Sequence, residues 1–166
     1  MTRPQIEEVL ETYGPMLARI AASYAGEPAR RDDLLQDISI ALWRALPQWR
    51  GESALRSFVA RVANNRAINH LAANRAALDA PLDPDLADPE ADPLQQVQIG
   101  QRRQGLVEAV RGLPLAFRQP VVLTLEGFTQ KEIAELLGLA ENTVAQRLSR
   151  ARRRLRAQMG DDRDGN

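Results

Sequence analysis

The sequence predicts an all-α protein, two small helical domains joined by an acidic, proline-rich linker. Three observations carry that prediction. Helical periodicity runs through residues 4 to 76 with few breakers and almost no strand signal. The next stretch, ALDAPLDPDLADPEADPLQQVQIG from Ala77 to Gly100, holds four prolines and six carboxylates without one positive charge. Helical periodicity then returns and ends in GFTQKEIAELLGLAENTVAQRLSRARRRLRAQM, Gly127 to Met159, with six arginines in its second half. The expected divisions are a first domain over 1–76, a flexible linker over 77–100, a second domain over 101–159 and a disordered tail over 160–166.

In the first domain the most informative helix is DDLLQDISIALWRAL, Asp32 to Leu46. Leu34, Leu35, Ile38, Ala41, Leu42, Ala45 and Leu46 form one broad apolar arc suited to a core. Ile40 and Trp43 point elsewhere, into the sector that also holds Gln36. Two large apolar groups outside the core arc are either covered by a neighbouring helix or meant for a partner. Pro47 and Gly51 then break the helix, so Gln48 to Ala54 reads as a loop, with Ser53 as a cap for the helix after it. That helix is expected to bury Phe58 and Val62, with Leu55 beside them. Its polar side carries Arg56, Arg61, Asn64, Asn65, Arg66 and Asn69, amide and guanidinium groups of the kind that read base edges and backbone. A plain solvated face is the alternative. Three asparagines in six helical positions, from a residue that forms helices poorly, is an odd composition for mere solubility.

The linker's 24 residues reach roughly 80 Å fully extended, and about 25–30 Å as a flexible coil. Beyond it, Gln101 to Arg111 and Phe117 to Gly127 read as two helices. Thr129 with Glu132 three residues on forms a capping box. Ile133, Ala134, Leu136 and Leu137 supply the apolar stripe of a short helix, and Gly138 suits a left-handed cap. A last helix begins near Glu141, although Ala140 offers it no side-chain acceptor. Its Val144, Leu148, Ala151 and Leu155 fall on one buried face, and Thr143, Arg147, Arg150 and Arg154 on another stripe. Two helices separated by a glycine-led break match a helix-turn-helix. In that motif Glu141, Asn142, Thr143 and Gln146 would reach base edges in the major groove. The arginines further along would meet phosphates, or bases where the groove lets them; a merely solvated charged face is the alternative.

Composition narrows the function further. Lys+Arg and Asp+Glu both total 22, so the basic helix is a local feature that acidic segments offset elsewhere. The absence of cysteine excludes disulfides and thiolate metal sites. The single histidine, His70, reads as a surface or partly buried residue rather than a ligand. No segment resembles a signal peptide or approaches membrane-spanning length, which points to the cytoplasm. No glycine-rich phosphate loop, no nucleophile with a histidine base and no metal cluster is visible. The expectation is therefore a non-enzyme without cofactor, metal or small-molecule substrate.

Taken together, DDLLQDISIALWRAL, SFVARVANNRAINHL and GFTQKEIAELLGLAENTVAQRLSRARRRLR resemble, in order and spacing, the extracytoplasmic-function (ECF) type of bacterial RNA polymerase sigma factor. The resemblance covers most of the chain. It implies that the first segment grips core polymerase, that the second recognises the promoter −10 element, and that the third binds the −35 element. On the polymerase-binding pattern fall Asp33, Leu34, Gln36, Asp37 and Trp43, joined by Ile40 from the helical geometry. On the −10 helix fall Arg61, Asn64 and Asn65, with Arg56 nearby. Trp49, Arg50, Gly51, Glu52 and Ser53 lie on the loop that in relatives holds a flipped base. Thr143, Val144, Arg147, Leu148, Arg150, Ala151 and Arg152 follow the −35 helix, with Val144, Leu148 and Ala151 there as packing. Expected partners are core RNA polymerase through its clamp and flap regions, promoter DNA and an anti-sigma factor.

The chain departs from the pattern where Phe58-Val59 replaces a usual tryptophan-leucine pair, where Asn69 replaces a usual aspartate, and at Ala145, often basic in relatives. These departures bear on which promoter is read rather than on the role. Two other readings stay open on sequence alone. One is a dimeric helix-turn-helix regulator bound to a palindrome, which needs no polymerase-docking surface. The other is a sigma-like decoy that binds polymerase or a regulator without reading promoters.

Overall fold

A computed structural model of the chain describes residues 5–77 and 102–160. They fall into two compact units, and every regular element among them is helical. The first unit holds α1 (Ile6–Tyr24), α2 (Pro28–Ala45), a 3-10 turn (Leu46–Gln48) and α3 (Leu55–Ala77). The second holds α4 (Arg102–Arg111), α5 (Leu115–Leu125), α6 (Gln130–Leu137) and α7 (Glu141–Gly160). Most of the expected linker, residues 78–100, lies outside the described residues, and Ala77 is the last residue of α3. Helix α7 runs through Gly160, the first residue of the expected tail, whose remainder also lies outside.

In the first unit the three helices pack on one another. Helix α1 buries Val9, Met16, Leu17, Ile20, Ala21 and Tyr24, a stripe of helical period. Pro28 opens α2 at a position where a missing N–H leaves no bond unmade. The Arg31 side chain donates to the carbonyls of Ala25 (Nε, 3.4 Å) and Gly26 (Nη2, 3.2 Å), tying α2 back to the end of α1. Leu34, Ile38, Leu42 and Leu46 then run down one side at four-residue steps, all at most 4% exposed. Burying each contributes about 1.5–3 kcal/mol before the entropy of ordering is counted.

Helix α3 corrects the sequence reading. Its buried face is Val59, Ala60, Ala63, Ala67 and Leu71, while Leu55, Phe58 and Val62 are only half-buried. The three alanines are the reason. A face of methyl groups lets α3 settle close against both α1 and α2, whose leucines and isoleucines fill the core between them. The larger side chains of α3 are left on its flank.

In the second unit α5 is buried almost all round, through Leu115, Phe117, Pro120, Val121, Val122 and Leu123, with α4, α6 and α7 packed against it. It starts two residues before the expected Phe117, because the Pro114 carbonyl accepts from both Phe117 and Arg118 (2.9 Å each). Arg118 is wholly buried, a placement the sequence does not announce. Its guanidinium donates to the Leu113 carbonyl (Nε 3.3 Å, Nη2 2.9 Å) and so fastens the α4–α5 turn. The capping box of α6 forms as expected, Glu132 N–H to Thr129 Oγ1 at 3.1 Å and Thr129 N–H to Glu132 Oε1 at 3.0 Å. Gly138 ends α6 at φ +67°, in the left-handed region, and the Leu139 N–H closes on Ala134 O at 2.9 Å. The Ala140 carbonyl accepts the Val144 N–H (3.1 Å), placing Ala140 just before α7.

Candidate nucleic-acid interface

In the first unit α2 displays Asp33, Gln36, Ile40 and Trp43, with Ile40 43% and Trp43 63% exposed. The second indole of the chain, Trp49, is half-buried, so the openness of Trp43 is a property of its position. Leu34, matched to the docking pattern, is wholly buried and serves the core. Asp37 sits at the seam with α3. Both its oxygens accept from the Arg66 guanidinium, at 2.6 and 2.7 Å from Nη2 and 3.2 Å from Nε. The two side chains are 36% and 38% exposed, so the pair contributes only about 0–1 kcal/mol to stability.

The segment between α2 and α3 is closed by local bonds. Trp49 N–H reaches Leu46 O at 3.1 Å, completing the 3-10 turn, so the loop proper begins after Gln48. The Trp49 indole Nε1–H donates to Ser53 O at 3.1 Å, and Gly51 takes φ +79° between them. Arg50, Gly51 and Glu52 are exposed on this bracket. Ser53 stands one residue too early to cap α3. Its first carbonyl acceptor is Ala54, which takes the Phe58 N–H at 3.0 Å.

On α3 itself Arg61, Asn65 and Asn69 are exposed and Arg56 is half-buried, whereas Asn64 is 6% exposed and accepts from the Tyr24 hydroxyl at 3.3 Å. Asn64 is therefore a core residue in this conformation, not an accessible base reader. The half-buried Phe58 and Val62 share a flank with exposed Asn65 and Asn69, giving a mixed apolar and amide surface suited to stacking and edge contacts.

In the second unit α7 separates its two faces cleanly. Val144, Leu148 and Ala151 are at most 3% exposed, while Leu155, expected with them, is half-buried. Glu141, Asn142, Gln146, Arg150, Arg152 and Arg154 are exposed, and Thr143 and Arg147 are half-buried at the edge. The Arg154 guanidinium lies 5.0 Å from the Phe117 ring centroid, a cation–π contact, so it braces α7 on α5 as well as facing outward. His70 is half-buried, and no group of three His, Asp or Glu side chains able to hold a metal occurs among the described residues. Among those residues no helix is long and apolar enough to cross a membrane.

Three long-range side-chain contacts have no signal in the sequence: Asp37 with Arg66, Tyr24 with Asn64, and Arg154 with Phe117. Each joins residues 29 or more positions apart, and no local pattern pairs them.

Comparison with known proteins agrees with this geometry. Residues 9–77 match the family model for sigma-70 region 2, and residues 103–155 match that for sigma-70 region 4. The chain is 30% identical over 159 residues to the ECF RNA polymerase sigma factor SigM of Mycobacterium tuberculosis, covering 95% of this chain and 79% of SigM. It resembles the structure of CnrH in complex with the cytosolic domain of CnrY, at 25% identity and a TM-score of 0.66 over 95% of this chain and 88% of CnrH. The fold is also that of the sigma factor RpoE of Bartonella quintana, solved in complex with the anti-sigma factor NepR, with a TM-score of 0.71 at 20% identity over 93% of this chain and 96% of RpoE. The chain belongs to the sigma-70 family of RNA polymerase sigma factors, and within it to the ECF type, transcription initiation factors that direct polymerase to promoters.

Proposed function

We propose that this sigma factor docks on core RNA polymerase through Gln36, Ile40 and Trp43 of α2, holds opened −10 DNA with the Trp49–Ser53 loop and the Arg61–Asn65 side of α3, and holds duplex −35 DNA with α7. The observation that carries this reading is the open Ile40–Trp43 pair, 43% and 63% exposed in the same small unit as an amide-rich helix. An exposed apolar pair marks a protein-binding surface, and a factor that bridges polymerase and promoter needs it together with the amide-rich face. Core polymerase supplies the catalytic chemistry. The chain's work is binding, placement and capture of unstacked bases.

The division into a docking and −10 domain over 1–76, a linker over 77–100 and a −35 domain over 101–159 belongs to the same reading. Promoter elements two helical turns apart are separated by roughly 70 Å. A tether with a reach of roughly 80 Å, together with the width of two units, spans that distance. Control by an anti-sigma factor is supported by the similar CnrH, solved with CnrY, and by RpoE, solved with the anti-sigma factor NepR. Such a partner would cover the exposed α2 face until a signal releases it, in the cytoplasm where polymerase works.

The test is run-off transcription from total genomic DNA of the source organism, using sigma-free core polymerase with and without the protein. New discrete start sites sharing two upstream motifs are expected. Comigration with core polymerase but no new starts would favour the decoy. Loss of both, with tight binding of the protein alone to a palindrome, would return the dimeric regulator.

A further inference from the structure

The exposed face of α2 and the polar flank of α3 meet at a charged contact, the pair of Asp37 and Arg66. On α2, Asp37 borders the open sector of Gln36, Ile40 and Trp43 on one side and the packed side, with Ile38, on the other. On α3, Arg66 holds the matching border position. Buried Ala63 and Ala67 lie to one side of it, and half-buried Val62 and exposed Asn69 to the other. The guanidinium grips both carboxylate oxygens, at 2.6, 2.7 and 3.2 Å. A pair this open to solvent stabilises weakly, but a two-point grip between planar groups fixes angle as well as distance. The pair also walls a groove of about 280 Å³ whose lining continues through Ile40, Ala41, Arg44 and Gln48. Anything seated on Ile40 therefore lies against the wall that the pair forms.

We propose that Arg66 is a positioning residue: its grip on Asp37 fixes the rotation of α3 against α2, and so couples docking on Ile40 and Trp43 to promoter reading by Arg61 and Asn65. This rests on the sigma-factor reading above. It changes the role expected of Asp37, which becomes the inner half of a coupling joint rather than a free carboxylate offered to polymerase. Both its oxygens already accept from Arg66, so a cationic group of a partner would have to displace that grip first.

The test uses the full chain with core polymerase and reads two quantities separately. One is affinity for core without DNA. The other is −10 discrimination, the ratio of open-complex formation on a matched promoter to that on one substituted in the −10 element. Arg66→Gln is expected to leave core affinity within about twofold while lowering discrimination about fivefold or more, the lower end of ordinary coupling between sites. Asp37→Asn should do the same, and the double variant should be no worse than either single one. Exchange of the two charges, Asp37→Arg with Arg66→Asp, should recover part of the discrimination. Arg66→Lys, which keeps the charge but not the two-point grip, should fall between wild type and Arg66→Gln. Thermal unfolding of each variant identifies any that is merely unfolded.

Weaker core binding in Asp37→Asn but not in Arg66→Gln would make Asp37 a direct contact and overturn the proposal. So would unchanged discrimination in both, which would leave a solvated pair. Discrimination that falls only in step with lost thermal stability would reduce the pair to a structural one. Failure of the wild-type protein to bind core at all would instead sink the sigma-factor reading beneath it.

Discussion

The two helices proposed to read DNA differ in how their buried faces are filled. Helix α7 buries Val144, Leu148 and Ala151 and turns its arginines outward. Helix α3 buries Val59, three alanines, Asn64 and Leu71, and leaves Phe58 and Val62 half-buried. The difference lies in what each packs against. α7 leans on α5 and α6 and brings its own apolar bulk, whereas α3 closes a unit whose volume is supplied largely by α1 and α2. A hydrophobic stripe identifies the core only where the helix itself supplies the volume. Where neighbours supply it, small side chains can line much of the inward face, and larger apolar groups such as Phe58 and Val62 are left half-buried on the flank.

The largest expected effect tests the first half of that contrast. Leu148→Ala should destabilise the protein by about 2–5 kcal/mol, read from urea unfolding followed by helical circular dichroism. Phe58→Ala removes a larger side chain yet should cost clearly less, while impairing promoter opening. An equal cost for the two would erase the distinction drawn between the helices.

Next in size is Ala63→Leu. Leucine is nearly as good a helix former as alanine, so propensity predicts almost no change. Close packing of α3 predicts a loss of about 1–3 kcal/mol from overfilling. A neutral result would mean that α3 has room to spare and that its alanines are incidental.

These cases show what the sequence could and could not convey. The capping box of Thr129 and Glu132, the left-handed Gly138 and the stripe of Val144, Leu148 and Ala151 are set by neighbours a few residues away, and all were legible. The buried face of α3 was misread, because periodicity reports which residues share a face and not which face turns inward. The burial of Asn64 has no local signal either: its partner, Tyr24, lies 40 positions away. Ile40 and Trp43 stand out of register in the sequence, which leaves open whether a helix covers them. Their exposure, and the tie of neighbouring Asp37 to Arg66, come from the packing of α2 and α3. The burial of Arg118 is imposed by the helices around α5 and leaves no local signal.

Asn64 and Asn65 offer a sharper comparison within one helix, at smaller cost. Asn64→Ala should lower stability by about 1 kcal/mol through the lost buried hydrogen bond. Asn65→Ala, on an exposed position, should leave stability within about 0.5 kcal/mol and reduce −10 discrimination instead. Pairing Asn64→Ala with Tyr24→Phe should cost less than the sum of the two single changes. Additive costs would mean that the 3.3 Å contact carries no energy.

The smallest effects on stability are expected among the arginines of α7, where the measurement that matters is salt dependence. Arg150 is exposed, so Arg150→Ala should leave unfolding almost unchanged. It should lower the slope of log affinity against log salt for −35 duplex by about 0.9, the release of one counterion. Arg147→Ala should lower it similarly. Arg154 already stands over the Phe117 ring, so its guanidinium is held there before any DNA arrives. Arg154→Ala should therefore change the slope by less than Arg150→Ala, while losing about 0.5–1 kcal/mol of stability from the bracing of α7 on α5. Identical slopes for the two would mean that Arg154 leaves the ring to meet phosphate. An unchanged slope for Arg147 and Arg150 would make the arginine stripe a solvated face and move −35 recognition to Asn142, Thr143 and Gln146 at the start of the helix.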